Sequence, residues 1–286
     1  MLSTFSYVRP QSLETALEYL DKHPGTKILA GGTDLLVQLR RNLLNPDHVL
    51  DIKAIPEIRG HSYEAGRGLW IGAAMTVNEI VDNPLIREKF PALFQAAGAL
   101  ASYQIRNRAT LVGNICNASP GADLPGPLLV YEAVVRIAGT HGRREVPLSE
   151  FFTGVKTTVL LPHELVTGIW LPEPVAGFSI FYKQTRLKGH DLGIVAVTAR
   201  ATESGRVFVA LSAVAPTPIR LPVLEEKLSS RPLTPEIAVW ASCEAGKMIQ
   251  PISDVRSSAR YRRHAAGVLL KRALLQLLAW GENNHV

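Results

Sequence analysis

Apolar positions near the N-terminus recur with two different periods. Leu13, Ala16, Leu17 and Leu20 fall at i, i+3, i+4 and i+7, which is one face of a helix. Ser12 stands where it can cap the first turn, and His23-Pro24-Gly25 supplies the stop. A short apolar run, Ile28-Leu29-Ala30, then reads as a strand. It enters Gly31-Gly32-Thr33-Asp34 and a second helix carrying Leu35, Leu36 and Leu39. Another strand is expected around Val49 to Ile52. Strand, glycine turn, helix and strand make a small βαβ unit.

A second region begins near residue 57. Leu69-Trp70-Ile71 reads as a strand between glycines, and Thr76 with Glu79 makes a capping box for a helix. Helical patterning continues to about Ala101. Residues 102–127 are rich in Asn, Gly and Pro and read as irregular. Helix and strands resume to Leu171, and Pro172 with Pro174 reads as a linker. Beyond it, residues 178–183, 194–201 and 207–214 read as strands, with Glu203-Ser204-Gly205-Arg206 as a hairpin turn. Helices follow, the last over about residues 259–280. Strands followed by helices define an α+β class. The expected division is residues 1–56, 57–174 and 175–286.

Composition narrows the class of protein. Of 286 residues, 47% are apolar and 20% charged, so a large core can form and no stretch is biased toward disorder. No apolar run approaches the ~18–20 residues of a membrane span, and the N-terminal stretch lacks the basic-then-apolar order of a secretory signal. Cys116 and Cys243 are the two cysteines. They are too few for a four-cysteine zinc site or an iron–sulfur cluster and fit a reducing, cytoplasmic setting, with one disulfide left open. The net charge of +6 is concentrated in Arg256, Arg260, Arg262, Arg263, Lys271 and Arg272. These read as a solvated helix face, with docking to a protein as the functional alternative. No zinc-finger, RNP or basic-zipper pattern points to nucleic acid.

Two segments carry candidate chemistry. In Lys27-Ile28-Leu29-Ala30-Gly31-Gly32-Thr33-Asp34, leading into Leu35, a strand ends in two glycines and enters a helix. Such a turn aims several backbone N–H groups at one point and suits a pyrophosphate. Thr33 can donate its hydroxyl, and Asp34, which would repel phosphate, reads as a helix cap. Taken alone, a purely structural turn is the more frequent meaning of this pattern. The second segment runs Ala109-Thr110-Leu111-Val112-Gly113-Asn114-Ile115-Cys116-Asn117 and on to Asp123. Its polar side chains lie among apolar ones, so they either bond one another or line a ligand site. Arg106, just before it in Gln104-Ile105-Arg106-Asn107, can pair with a phosphate or an acidic partner or pin the loop through backbone carbonyls, and pinning is the favoured reading. No dinucleotide glycine fingerprint, P-loop, nucleophile elbow or zinc-protease motif occurs. His163 and Glu164 are adjacent without a second histidine at helical spacing. His190 reads as a solvated turn residue, and Cys116 as a small packing residue.

Together these segments resemble the FAD-binding subunit of the xanthine dehydrogenase and carbon monoxide dehydrogenase family. The resemblance rests on AGGTDLL, ATLVGNICNASPGADL, the QIRN before it, and the N-terminal order YxRPxSLxxAL. It continues through YKQTR around Lys183 and AVAPTPIR before the last helices, and so covers nearly the whole chain. Among members it is most similar to the flavin subunits of bacterial xanthine dehydrogenases. The resemblance implies a vanillyl-alcohol-oxidase (PCMH) type FAD domain of two α/β subdomains, then a C-terminal α+β domain. FAD would lie between the subdomains with its pyrophosphate on residues 28–35. Thr110 to Asn114 would hold the ribityl and phosphate region, and Asp123, Val166 and Lys183 would lie near the flavin or adenine, Val166 as an apolar wall. Many members have Gly-Gly-Asn where this chain has Val112-Gly113-Asn114. Carbon monoxide dehydrogenases place a tyrosine near the flavin where this chain has His190-Asp191-Leu192, and the cysteine count excludes the extra 4Fe–4S loop of some relatives. The resemblance further implies molybdopterin and 2Fe–2S clusters on partner subunits, with NAD+ as acceptor. The rival readings are the flavin subunit of a related aldehyde, nicotinate or carbon monoxide dehydrogenase, a stand-alone flavin oxidase and a non-catalytic assembly subunit.

Overall fold

A computed structural model describes residues 4–187 and 191–284. Three short strands, β1 (Ser6–Val8), β2 (Lys27–Leu29) and β3 (His48–Asp51), form a parallel sheet in the order β1-β3-β2. Helices α1 (Leu13–Lys22) and α2 (Leu35–Arg40) connect them. Ser12 accepts from the Thr15 N–H as the cap of α1, as its position suggests. β2, α2 and β3 form the expected βαβ unit. β1 was not legible, because three residues with little burial carry no period.

A five-stranded antiparallel sheet follows, in the order β4-β5-β10-β6-β7. Its strands are β4 (His61–Glu64), β5 (Gly68–Gly72), β6 (Val134–Gly139), β7 (Gly142–Pro147) and β10 (Leu165–Pro172). Pro172 pairs with Gly68 and so ends β10 rather than starting a linker. Between β5 and β6 run α3 (Val77–Val81), α4 (Pro84–Lys89), α5 (Pro91–Ala99), α6 (Tyr103–Arg106), α7 (Leu111–Cys116) and α8 (Pro125–Val130). Thr76 and Glu79 form the capping box of α3. The stretch expected to be irregular is therefore three short helices. Ser102 caps α6, Thr110 caps α7, and Pro125 occupies the first turn of α8. After β7 come α9 (Leu148–Phe151) and a two-stranded ribbon, β8 (Phe152–Gly154) and β9 (Thr157–Thr158).

The last sheet is antiparallel, in the order β11-β12-β13-β14: β11 (Gly177–Thr185), β12 (Gly193–Thr202), β13 (Val207–Ser212) and β14 (Ile219–Arg220). Helices α10 (Pro222–Ser229), α11 (Pro235–Met248) and α12 (Ala259–Asn284) complete the α+β chain. β12 is apolar almost throughout because both its faces are covered. Val195, Val197 and Ala199 face the helical core, while Ala196 joins the core of the preceding sheet. α8 lies so close that a Cβ on Gly126 would come within 2.9 Å of Thr198 Oγ1. Ser179 on β11 accepts from the Ala92 N–H and bonds the Tyr131 hydroxyl, tying this sheet to α5 and α8. Among the described residues, no helix is long and apolar enough to cross a membrane.

The basic C-terminal face departs from the expectation at two places. Arg262 is only 1% exposed and bonds the Ile194 and Ala213 carbonyls and Asp254 Oδ1. Arg256 pairs with Asp254 at 2.8 Å. Burial raises the Asp254 carboxyl, but the Arg256 and Ser257 backbone N–H groups and the two guanidiniums outweigh it and hold the group well below the usual carboxylate range. A lowered folded-state pKa stabilises the protein above the unfolded value and is lost as pH falls through the folded one. Asp254→Asn is expected to flatten the acid limb of stability below about pH 4. At neutral pH it should destabilise the chain by ~3–5 kcal/mol, because Arg262 is left buried without its anion. Urea unfolding at a series of pH values checks both.

Candidate functional site

After β2 the chain turns through Ala30, Gly31 and Gly32 into α2. Gly32 has φ +76°, a left-handed conformation that glycine tolerates. Gly31 is required for a different reason. A Cβ there would overlap the Arg108 carbonyl oxygen and lie 2.8 Å from Ala109 Cα. The glycine turn and the asparagine loop are therefore in direct backbone contact. The turn is also held from below. Lys53 Nζ donates to the Ala30 carbonyl at 3.1 Å and pairs with Asp51 at 2.8 Å. The Tyr7 hydroxyl donates to the other Asp51 oxygen at 2.5 Å. Burial raises the Asp51 carboxyl, and the Lys53 and Tyr7 bonds more than reverse this. Lys53 was missed in the sequence, since nothing local links it to Ala30.

Asp34 precedes α2 but makes no side-chain capping bond, contrary to its expected role. Its own backbone is already helical, so the carboxylate is not placed over the free N–H groups. Lys27 opens β2 at the end away from the turn, where it lines a shallow depression with Pro24 and His48. Ile28 and Leu29 pair with Leu50 and Asp51.

The second loop is rigid. The Ala109 carbonyl accepts from the Val77 N–H at 2.8 Å, and Thr110 Oγ1 accepts from the Gly113 N–H at 2.9 Å. Arg106 donates to the carbonyls of Gly98, Leu100 and Ala101 and to Asn78 Oδ1, the pinning role expected of it. Leu111 and Val112 are buried in the core, Val112 with 4% exposure, so the valine side chain is packed away and does not cover the loop. α7 lies against β10, in which Val166 is buried. Asn114 Oδ1 is buried without a hydrogen-bond partner among the described residues. Burial pushes the Cys116 thiol up to about 12, which fits an inert packing residue. Asn117 Oδ1 accepts from Lys156 Nζ at 2.7 Å.

Asp123 and Lys183 meet across 60 positions of sequence. Their Oδ2–Nζ distance is 2.8 Å, and both side chains are buried. Lys183 also reaches the Ala99 carbonyl at 3.3 Å. Burial raises the Asp123 carboxyl, and the Lys183 ammonium opposes that rise. Asp123 Oδ1 is buried with no partner among the described residues. Gly193 adjoins the pair: a Cβ on it would lie 3.9 Å from that oxygen. His190 lies outside the described residues. Asp191 accepts from the Leu187 and Leu192 N–H groups.

A buried polar atom without a partner is unfavourable, by about 1–3 kcal/mol. Here two acceptors, Asn114 Oδ1 and Asp123 Oδ1, stand in a region whose backbone is closely packed and firmly bonded. That donor-seeking pair, with the glycine turn in contact with the loop that carries Asn114, fits a large polar cofactor such as FAD.

Comparison with known proteins gives the class directly. The family described as "FAD binding domain in molybdopterin dehydrogenase" matches residues 3–174, and "CO dehydrogenase flavoprotein C-terminal domain" matches residues 180–277. The carbon monoxide dehydrogenase medium chain of Hydrogenophaga pseudoflava is 33% identical over 275 residues, 94% of this chain and 96% of that one. The xanthine dehydrogenase FAD-binding subunit of Escherichia coli O157:H7 is 32% identical over 286 residues, 98% of each chain. The solved carbon monoxide dehydrogenase from Hydrogenophaga pseudoflava superposes with a TM-score of 0.93 at 32% identity, covering 98% of this chain and 99% of that one. The chain belongs to the family of FAD-binding medium subunits of the molybdenum hydroxylases.

Because Gly31 touches backbone rather than a movable side chain, Gly31→Ala is expected to push the two loops apart. The loss should reach roughly 2 kcal/mol or more of stability, and the purified protein should lose its flavin absorbance. Thermal unfolding and the visible spectrum check this together.

Proposed function

We propose that this chain is the flavin subunit of a multi-subunit molybdenum hydroxylase of the xanthine dehydrogenase type. In this reading it is cytoplasmic and sits beside a large molybdenum-cofactor subunit and a small 2Fe–2S subunit, with NAD+ as the final acceptor. Residues 1–56 and 57–174 clasp the cofactor, and residues 175–286 form the third domain. The observation that carries the reading is the backbone contact of Gly31 with Arg108 and Ala109, together with the unpartnered buried acceptors of Asn114 and Asp123.

FAD supplies, when bound, a ring that exchanges electrons singly or as a hydride, and the protein supplies position and polarity. The N–H groups from Gly31 to Leu35 would hold the pyrophosphate. Thr110 to Asn114 would hold the ribityl and phosphate region, with Ala109, Leu111 and Val112 fixing the loop behind them. Asp123 Oδ1 would accept a hydrogen bond from the cofactor, and Lys183 pairs with the other oxygen of that carboxylate. Val166 would form an apolar wall, and Asn117 the far end of the loop.

The substrate of the complex has a second reading. The carbon monoxide dehydrogenase relative is as similar as the xanthine dehydrogenase one, 33% against 32% identity. Isolation of the native complex separates them. The proposal expects two further subunits, molybdenum and iron, and NAD+ reduction with xanthine. Activity with carbon monoxide selects the second reading, and turnover of a small substrate with dioxygen by this chain alone overturns both. Within the site, Asn114→Ala is expected to weaken FAD binding about fivefold to tenfold, the worth of one hydrogen bond. Its melting temperature without FAD should stay near that of the unsubstituted chain. Flavin fluorescence titration and a melting curve measure the two effects.

A further inference from the structure

Lys156 belongs to neither cofactor loop. It lies between β8 and β9 in the left-handed region, with φ +60°. Its backbone N–H donates to the Ala118 carbonyl at 3.0 Å, and its Nζ donates to Asn117 Oδ1 at 2.7 Å. The ribbon thus closes over the far end of the asparagine loop. The same ammonium is also acted on by the Asp34 carboxylate, at the end of the glycine turn. One side chain from a third segment is therefore bonded to one half of the cradle and within electrostatic reach of the other. Its surroundings withdraw enough water to lower its pKa, and Asp34 pulls in the opposite direction.

The charges around the cradle give this placement its meaning. The Asp34 side chain makes no capping bond on α2, so its negative charge stands beside a turn suited to a pyrophosphate, which brings two more. Three other cations near the cradle are committed. Lys53 is held by Asp51 and the Ala30 carbonyl, Lys183 by Asp123, and Arg106 by three carbonyls and Asn78. Lys156 bonds only a neutral amide, and among the described residues it has no carboxylate within ion-pair distance. It is also exposed, so a ligand can reach it.

We propose that Lys156 is a positioning residue of the cofactor cradle, tying down Asn117 and, with FAD bound, facing the pyrophosphate so as to offset Asp34. This rests on the placement of FAD given under Proposed function.

The test uses the full chain stripped of flavin and titrated with FAD at several salt concentrations. Lys156→Gln keeps a donor for Asn117 and removes the charge, and Lys156→Arg keeps the charge. The Gln variant is expected to bind FAD about tenfold more weakly, as for loss of a charge-assisted hydrogen bond. Its affinity should also depend less steeply on salt, because a screened charge pair is gone. The Arg variant should recover most of the affinity, and both should melt like the unsubstituted chain before FAD is added. An unchanged affinity in the Gln variant overturns the proposal. So does weaker binding with an unaltered salt dependence, which would mean that Lys156 acts only through Asn117. An unsubstituted chain that takes up no FAD defeats the cradle itself, a failure distinct from either.

Discussion

The contact of Gly31 with the backbone of Arg108 and Ala109 is the constraint on which the rest of the site depends. Neither loop makes a cradle alone. A glycine turn after a strand is a common structural device, and an asparagine-rich loop can satisfy its own polar groups. Brought into backbone contact, they set the start of α2 beside the start of α7, on which Asn114 Oδ1 lacks a partner among the described residues. Everything nearby serves to keep that contact. Lys53 holds the Ala30 carbonyl against Asp51, Arg106 gathers three carbonyls before the loop, and Thr110 caps the helix that begins inside it.

The C-terminal domain contributes one side chain to this arrangement directly, and it does so from a firmly held strand. Lys183 lies on β11, whose partner β12 is covered on both faces. A charge at the end of such a strand has little freedom, so its pairing with Asp123 sets the carboxylate as well as neutralising it. The pair is a case where burial and Coulomb attraction oppose each other. Its geometry is one-sided: one oxygen is bound and the other is buried without a partner among the described residues.

The elements that were legible in the sequence are those with a clear period or a cap. α1, the βαβ unit, the capping box at Thr76 and the hairpin at Gly205 follow from apolar spacing and turn chemistry. The short helices α6, α7 and α8 were hidden by their Asn, Gly and Pro content, although Ser102, Thr110 and Pro125 carried the signal for their starts. Contacts distant in sequence were not legible. Nothing local brings Gly31 to Arg108, Lys53 to Ala30 or Lys156 to Asn117. Arg262 looked like one charge of a solvated face, because a helical arginine that turns inward has the same spacing as one that turns out. Asp34 stood at the capping position but in the wrong backbone conformation to cap.

The central claim is that the two loops form one FAD cradle. Its most direct test is an equilibrium titration of the flavin-free full chain with FAD, followed by visible absorbance, with ADP added as a competitor. The account predicts saturation at one FAD per chain, a shifted flavin spectrum, and displacement by ADP through the shared pyrophosphate. A chain that folds but leaves the spectrum of free FAD unchanged would contradict it.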